Sequence, residues 1–327
     1  MKAIVATAPG GPEVLELQDV PAPVPGPGEV LIDVVAAGIN RADVQQRQGH
    51  YPPPAGASET LGLEVSGRIA GFGPDVAKPF SKGEKVVALL AGGGYAQQVA
   101  VPAEQVLRIP EGIDLVTAAG LPEVAATVYS NLFMTAQLQP GETVLIHGGT
   151  GGIGAMAVQL AKAFGATVAA TSGNTEKVST LSAFLGADIA INYAEQDFVD
   201  VLRKRTGGHG ADVILDVVGA KYLQRNVDAL AMYGRLVVIG LQGGTTAELN
   251  LGALVAKRAA IIGTTLRARP VAEKGAIMEA VREHVWPQLT SGAVKTLVDK
   301  TFPLAQAAQA HAYFNSGEHM GKVLLLV

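Results

Sequence analysis

The chain has 327 residues, which suits two domains, because single cores rarely grow past about 250 to 300 residues. With 48% hydrophobic and 17% charged residues it is not a disordered chain, and no apolar run approaches the ~20 residues that a membrane-spanning helix needs. A net charge of −4 with no basic block leaves nucleic-acid binding without its electrostatic footprint, and the absence of cysteine removes disulfides, thiolate nucleophiles and Cys-based zinc sites.

The opening residues run straight into strand-like sequence with no apolar leader, so a cytoplasmic protein with small-molecule partners is expected. Up to about residue 110 the pattern is β-rich, with strands expected at 2–6, 14–18, 29–36, 61–70, 85–90 and 95–101 between Gly/Pro turns. One helix interrupts them at 41–48, followed by Gly49-His50-Tyr51 and three prolines. From 115 to 138 the apolar period turns helical and stops at Gln139-Pro140-Gly141. Strand-helix units then repeat over 143–164, 167–185, 188–206, 212–230 and 235–255, and a strand at 259–266 ends the series. That alternation predicts a doubly wound parallel sheet with helices on both faces. A helix at 272–290, a strand at 294–302, a helix near 305–314 and a strand at 322–327 do not extend it, so this tail is expected to return to the first domain and leave a cleft between the two. The six histidines form no H-x-x-x-H pair, and each is expected to be packed or solvated.

The chemistry concentrates in the first strand-helix unit. After the β-branched and aliphatic run 143–146, Gly149-Thr150-Gly151-Gly152-Ile153-Gly154 matches G-x-G-x-x-G, with helix expected from Ala155. Such glycines turn the chain sharply, bring backbone N–H groups close to a pyrophosphate and seat the helix on the strand, with the ligand's negative charge at the helix N-terminus. NAD-binding versions of this unit carry an Asp or Glu about 20 residues further on. Here that place holds Thr171-Ser172-Gly173-Asn174, and Glu176 falls on the next helix. Ser172 and Gly173 leave room for a 2′-phosphate and Lys177 can supply the cation, so NADPH is the expected cofactor. Tyr193, at the next strand tip, either adds a hydroxyl to that phosphate or packs on the sheet rim.

These residues, with Gln159 and Lys162 on the loop's helix, Gly38-Ile39-Asn40-Arg41-Ala42-Asp43, Arg47-Gln48-Gly49, Leu61-Gly62-Leu63-Glu64, Gly92-Gly93-Gly94-Tyr95-Ala96 and Asn192-Tyr193, resemble the medium-chain dehydrogenase/reductase superfamily. Within it the chain is similar to the zinc-independent quinone oxidoreductases that include zeta-crystallin, nearly end to end. The stretch 40–56 and Leu266-Arg267-Ala268-Arg269 look closest to the tumour-suppressor-induced quinone oxidoreductase subgroup. The zinc alcohol dehydrogenases of the superfamily carry a Cys in the segment matching 37–43 and a His before the Glu matching Glu64. This chain has Asn40 and Leu63 there, so zinc-alkoxide chemistry is not expected, and Glu64 is expected to serve in an ion pair.

The resemblance implies an α/β protein: a β-rich GroES-like catalytic domain over 1–122, a Rossmann-type NADPH domain over 123–265, and a return at 266–327. It places Asn40 beside the nicotinamide ribose, Tyr51 at the substrate mouth and Thr127 facing the nicotinamide. The backbone of Gly240, Leu241, Thr265 and Leu266, at strand ends, is read as holding the carboxamide. Asn40 can instead cap the helix after it, Tyr51 can pack on its prolines, Thr127 can bond its own backbone and Lys177 can be a solvated helix lysine. The activity implied is NADPH-dependent quinone reduction; enone reduction and non-catalytic NADPH binding stay open. A homodimer through the edge strand 259–265, which is uncharged apart from Lys257 and Arg258 just before it, is also expected.

Overall fold

Alternating aliphatic runs cut by Gly and Pro turns form the strands β1 (Lys2–Ala6), β2 (Leu15–Asp19), β3 (Glu29–Gly38), β4 (Glu64–Phe72), β5 (Lys85–Leu89), β6 (Gln98–Pro102) and β7 (Val106–Arg108), with α1 (Arg41–Arg47) after β3. The computed structural model describes all 327 residues. The expected helical stretch 115–138 is three pieces: α2 (Leu115–Ala118), α3 (Pro122–Val128) and a π-helix over Tyr129–Thr135. Pro122 lacks an N–H and starts a new helix. In the π turn the Ala136 N–H reaches the Asn131 carbonyl at 2.9 Å, while the Ser130 and Asn131 side chains take the Thr127 carbonyl at 3.3 and 2.7 Å. That capture competes with the regular backbone ladder, and π turns of this kind recur at functional sites.

Next come β8 (Thr143–Ile146), α4 (Gly152–Ala163), β9 (Thr167–Ser172), α5 (Thr175–Ala183), β10 (Ile189–Asn192), α6 (Phe198–Arg205), β11 (Ala211–Asp216), α7 (Leu223–Ala229), β12 (Leu230–Val238), α8 (Leu251–Ala256) and β13 (Ala260–Gly263). The chain ends with α9 (Val271–His284), α10 (Trp286–Thr290), β14 (Val298–Pro303), α11 (Ala307–Ser316) and β15 (Lys322–Leu326). The one helix expected over 272–290 is two, α9 and α10, because Pro287 opens a fresh turn. α4 starts at Gly152, three residues before the expected Ala155, since the Gly151 carbonyl already accepts from the Ala155 N–H at 2.8 Å.

Two compact units result. The first comprises Met1–Ala126, Leu266–Thr290 and Thr296–Val327; the second, Thr127–Thr265 and Ser291–Lys295. In the first unit β3 is the spine of a seven-stranded sheet ordered β14-β15-β3-β4-β5-β7, with β6 also on β3. β15, nearly all buried, pairs antiparallel with the end of β3, Leu324 opposite Gly38. Val30, Ile32, Val65, Val86, Leu325 and Phe314 form the core beneath.

In the second unit six parallel strands lie in the order β10-β9-β8-β11-β12-β13. β8 leads its connections toward one edge and β11 toward the other, so the switch point lies between them, where open parallel sheets bind ligands at the strand carboxyl ends. β13 is the edge strand, as expected. Residues 291–295 pack here through the Lys295 N–H on Gln159 Oε1 (2.9 Å) and Gln159 Nε2 on the Lys295 carbonyl (3.0 Å), whereas the sequence alone assigns all of 266–327 to the first domain. No helix is long and apolar enough to cross a membrane.

Candidate active site

The glycine loop leaves β8 at the switch point, and its glycines differ in what they do. A Cβ on Gly149 would lie 2.7 Å from Leu181 Cδ2 and 2.9 Å from Ala170 Cβ, and one on Gly154 would lie 2.6 Å from the Gly149 Cα. These two let loop, sheet and helix close up. At Gly151 a Cβ would meet nothing nearer than 3.6 Å, so this side of the loop is open. Gly151 is also the N-cap of α4 and has no side chain to satisfy the first-turn N–H groups. First-turn N–H groups left without a side-chain cap beside that open side suit the negative charge of a pyrophosphate.

The loop is braced from below. The Gly149 N–H donates to the Thr171 carbonyl (2.9 Å) and the Gly148 N–H to Thr171 Oγ1 (3.3 Å). His147 Nδ1 lies 3.1 Å from that hydroxyl and Nε2 lies 2.7 Å from Asn226 Oδ1. The chain of bonds is consistent with Nε2 carrying the proton, so that Nδ1 accepts from Thr171. His147 is buried against Phe198 and Tyr222, and burial pushes its pKa down to about 4. It is a packed histidine, as expected, but its brace on the loop went unforeseen because Asn226 is 79 residues away.

β9 ends at Ser172, whose hydroxyl is 3.2 Å from that of Thr150. Asn174 then caps α5 by accepting from the Lys177 N–H at 2.9 Å, and no carboxylate occurs before the exposed Glu176. Tyr193 is 48% exposed, and its hydroxyl stands 2.6 Å from where a Gly173 Cβ would be. The phenol therefore covers the bare backbone at the strand tip. The half-buried Lys177 is on the first turn of α5. Gly240 and Leu241 lie two and three residues past β12; a Cβ on Gly240 would be 2.8 Å from the Val217 carbonyl, and Leu241 is exposed beside Gly219. Thr265 follows the end of β13, next to Thr264, which donates to Asn131 of the π-helix. The buried Thr127 uses its carbonyl in that π turn, and no hydrogen bond to its own backbone engages its hydroxyl.

Asn40, Tyr51 and Leu266 belong to the first unit. Asn40 stands at the N-cap position of α1, but its side chain turns elsewhere: Nδ2 donates to Glu64 Oε1 at 3.0 Å and Oδ1 accepts from Lys322 Nζ at 2.7 Å. Lys322 also pairs with Glu64 Oε1 at 2.6 Å and donates to the Ile39 carbonyl at 2.9 Å, so the buried ammonium has three acceptors. The ion pair expected of Glu64 is thus present. Asp43 accepts from the N–H groups of Asn40 (2.8 Å) and Gly62 (3.0 Å), while burial pushes its pKa up to about 6. Arg47 donates to His311 Nδ1 (3.2 Å), which leaves His311 Nε2 to donate to the Tyr95 phenol (3.1 Å). These bonds fix α1 from inside.

Tyr51 is half-buried, with the Arg267 guanidinium 5.4 Å from its ring centroid. Arg267 also holds the Ala91 carbonyl (2.8 Å), Gln46 Oε1 (2.7 Å) and the Tyr51 carbonyl (3.4 Å). Tyr51 is therefore placed by Arg267. Arg267, Lys322 and Glu123 are charged groups of this cluster that local sequence did not mark as site residues.

Residues 26–111 match the family model described as alcohol dehydrogenase GroES-like domain, and residues 152–282 that described as zinc-binding dehydrogenase. The chain is 32% identical to the quinone oxidoreductase of Homo sapiens, over 100% of this chain and 98% of that protein. It is 33% identical to the 2-haloacrylate reductase of a Burkholderia species, over 97% and 96%. Among solved structures, Escherichia coli quinone oxidoreductase complexed with NADPH aligns over 100% of both chains with a TM-score of 0.87 and 31% identity. The chain, a Rossmann-type parallel sheet joined to a GroES-like β-rich part, belongs to the quinone oxidoreductases of the medium-chain dehydrogenase/reductase superfamily.

Proposed function

We propose that the protein is an NADPH-dependent, zinc-independent reductase of quinones, with activated alkenes as the alternative acceptors. The observation that carries the reading is the open N–H cradle at the switch point, next to a strand tip that ends in Ser172 and Gly173 with no carboxylate. The relatives support it, two of them named quinone oxidoreductase and one solved with NADPH. The 2-haloacrylate reductase, with 33% identity, favours activated alkenes as a second substrate class.

In this reading a reduced nicotinamide supplies a hydride. The protein's residues bind, orient and exclude water. Gly149, Thr150, Gly151, Gly152, Ile153 and Gly154 hold the pyrophosphate. Ser172, Gly173, Lys177 and Tyr193 take the 2′-phosphate. Gly240, Leu241, Thr265 and Leu266 hold the carboxamide, and Thr127 faces the ring. Asn40, kept rigid by Lys322 and Glu64, orients the ribose. Tyr51 donates a hydrogen bond to the acceptor oxygen as negative charge develops there. Where zinc relatives have ligands this chain has Asn40, tied to Lys322, and the buried apolar Leu63. We assign 1–122 with 266–327 to the substrate and 123–265 to the nucleotide, a cytoplasmic location, and a homodimer through β13.

A panel of ortho- and para-quinones, enones and 2-haloacrylates, each mixed with protein and NADPH, tests the reading. Cofactor oxidation is expected with quinones above all. Tight NADPH binding without oxidation by any acceptor would support a non-catalytic protein instead.

A further inference from the structure

A cavity of about 570 Å³ lies within the first unit, lined by the chain at 54–60, the turn at 90–93, β6 and the segment 267–274. That volume is ordinary for a small-molecule site. Pro21, Pro23, Pro54, Leu90, Val101 and Val271 supply its apolar wall. Neither Asn40 nor Tyr51 lines it, and every residue that does belongs to the first unit.

The charged part of the lining is cationic. Arg267 is 4% exposed and Lys274 5% exposed. The bonds of Arg267 go to uncharged acceptors, the Ala91 and Tyr51 carbonyls and Gln46 Oε1, and use three of its five N–H groups. Lys274 Nζ donates to the Arg267 carbonyl at 3.3 Å. Neither side chain forms a salt bridge. Burial lowers the pKa of both, against the pull of Asp43, Tyr51 and Glu123 on Arg267 and of Glu123 on Lys274. The half-buried Arg269 adds a third cationic side chain, whereas the one carboxylate of the lining, Glu29, accepts from the Gly26 N–H at 2.8 Å. On the same side, α9 packs so closely on residues 103–105 that a Cβ on Gly275 would lie 2.9 Å from Glu104 Cβ. Gln105 there is 2% exposed and lines the cavity; its Nε2 donates to the Leu89 carbonyl at 2.7 Å, and its Oε1 has no hydrogen-bond partner.

We propose that this cavity binds an organic carboxylate, its flat apolar body against the proline and aliphatic wall and its carboxylate serving as counter-ion to Arg267 and Lys274. Buried charges in proteins are ordinarily paired, because an uncompensated one costs free energy that the fold does not recover. Two such cations in the wall of one cavity share a single remedy, an anion that enters it. A neutral ligand would leave both uncompensated. An inorganic anion would leave the apolar wall in water, so the anion has to carry a hydrophobic body. A hydroxyl on that body would also complete Gln105 Oε1.

Titration calorimetry of the whole protein with 2-naphthoate and with its uncharged analogue 2-naphthamide tests this. Neither cofactor nor acceptor is present, so the result stands apart from the reductase reading. The carboxylate is expected to bind at least about tenfold more tightly than the amide, and to shift the methyl resonances of Val101 and Val271. Lys274→Met is expected to lose about tenfold or more in naphthoate affinity and little in naphthamide affinity, and Lys274→Arg to stay within about threefold of wild type. Because the ammonium has no counter-ion in the fold, Lys274→Met should be no less stable than wild type in urea. Naphthoate at one concentration should raise the melting temperature of wild type more than that of Lys274→Met. Equal affinity for the two probes, undiminished naphthoate binding in Lys274→Met, resonance shifts confined to residues outside the cavity, or a Lys274→Met protein less stable than wild type would each overturn the proposal.

Discussion

Lys322 and Glu64, the last strand's first residue and β4's first, form a buried ion pair at 2.6 Å whose ammonium also fixes Asn40 Oδ1 at 2.7 Å. Removing one partner leaves the other charge buried and uncompensated. Lys322→Met is expected to destabilise the protein by about 3 to 5 kcal/mol in urea unfolding. The double variant Glu64→Gln/Lys322→Met should recover more than half of that loss. A single variant as stable as wild type would show that the pair is not what holds β15 against β3.

Lys177 tests cofactor choice. Lys177→Ala is expected to weaken NADPH binding by about 1.5 to 3 kcal/mol, roughly tenfold to over a hundredfold, with little change for NADH. Titration calorimetry with both cofactors checks this, and equal losses for the two would refute a role at the 2′-phosphate. Tyr193→Phe, which removes the hydroxyl over Gly173, should shift affinity in the same direction by less.

His147 sets an acid limit on stability. Its folded pKa, lowered by burial to about 4 from a reference of 6.5, means that the unfolded chain takes up the proton first as pH falls. The stabilisation is present above pH 6.5 and is lost as pH falls through about 4, about 3 kcal/mol between pH 7 and pH 4 by linkage. His147→Gln should flatten part of the acid slope in urea midpoints measured across that window. It should also weaken NADPH binding, because Thr171 loses its acceptor beneath the glycine loop. An unchanged slope would mean that other groups carry the acid loss.

β13 tests assembly. It occupies the sheet edge, and Ala260–Gly263 carries neither charge nor proline, the usual guards against edge pairing. Ile262→Pro removes a ladder donor and is expected to shift a dimer toward monomer in sedimentation velocity. A wild-type protein that sediments as a monomer at every concentration would exclude pairing through this strand.

What the sequence made legible was local. The run 143–154 declares a strand, a tight turn and a helix by composition alone, and β8 and α4 lie there. The missing carboxylate at 171–174 is likewise a statement about four adjacent residues. What stayed hidden depends on distance along the chain. Lys322 meets Asn40 from 282 residues away, and no pattern near either residue announces the other. The π-helix was hidden for a different reason: its apolar spacing imitates an ordinary helix, and only capture of the Thr127 carbonyl by Ser130 and Asn131 shifts the register.

NADPH-dependent quinone reduction without zinc has a direct stoichiometric test. Protein treated at length with a strong chelator, then mixed with NADPH and a quinone without oxygen, gives the most direct measurement: the loss of reduced nicotinamide and the gain of hydroquinone over the same interval. The two are expected to match one for one, at the rate of untreated protein, and NADH in place of NADPH is expected to be used at least about tenfold less efficiently, as a lost charge-assisted contact implies. Activity that falls with chelation and returns with zinc, or equal use of NADH, would contradict it.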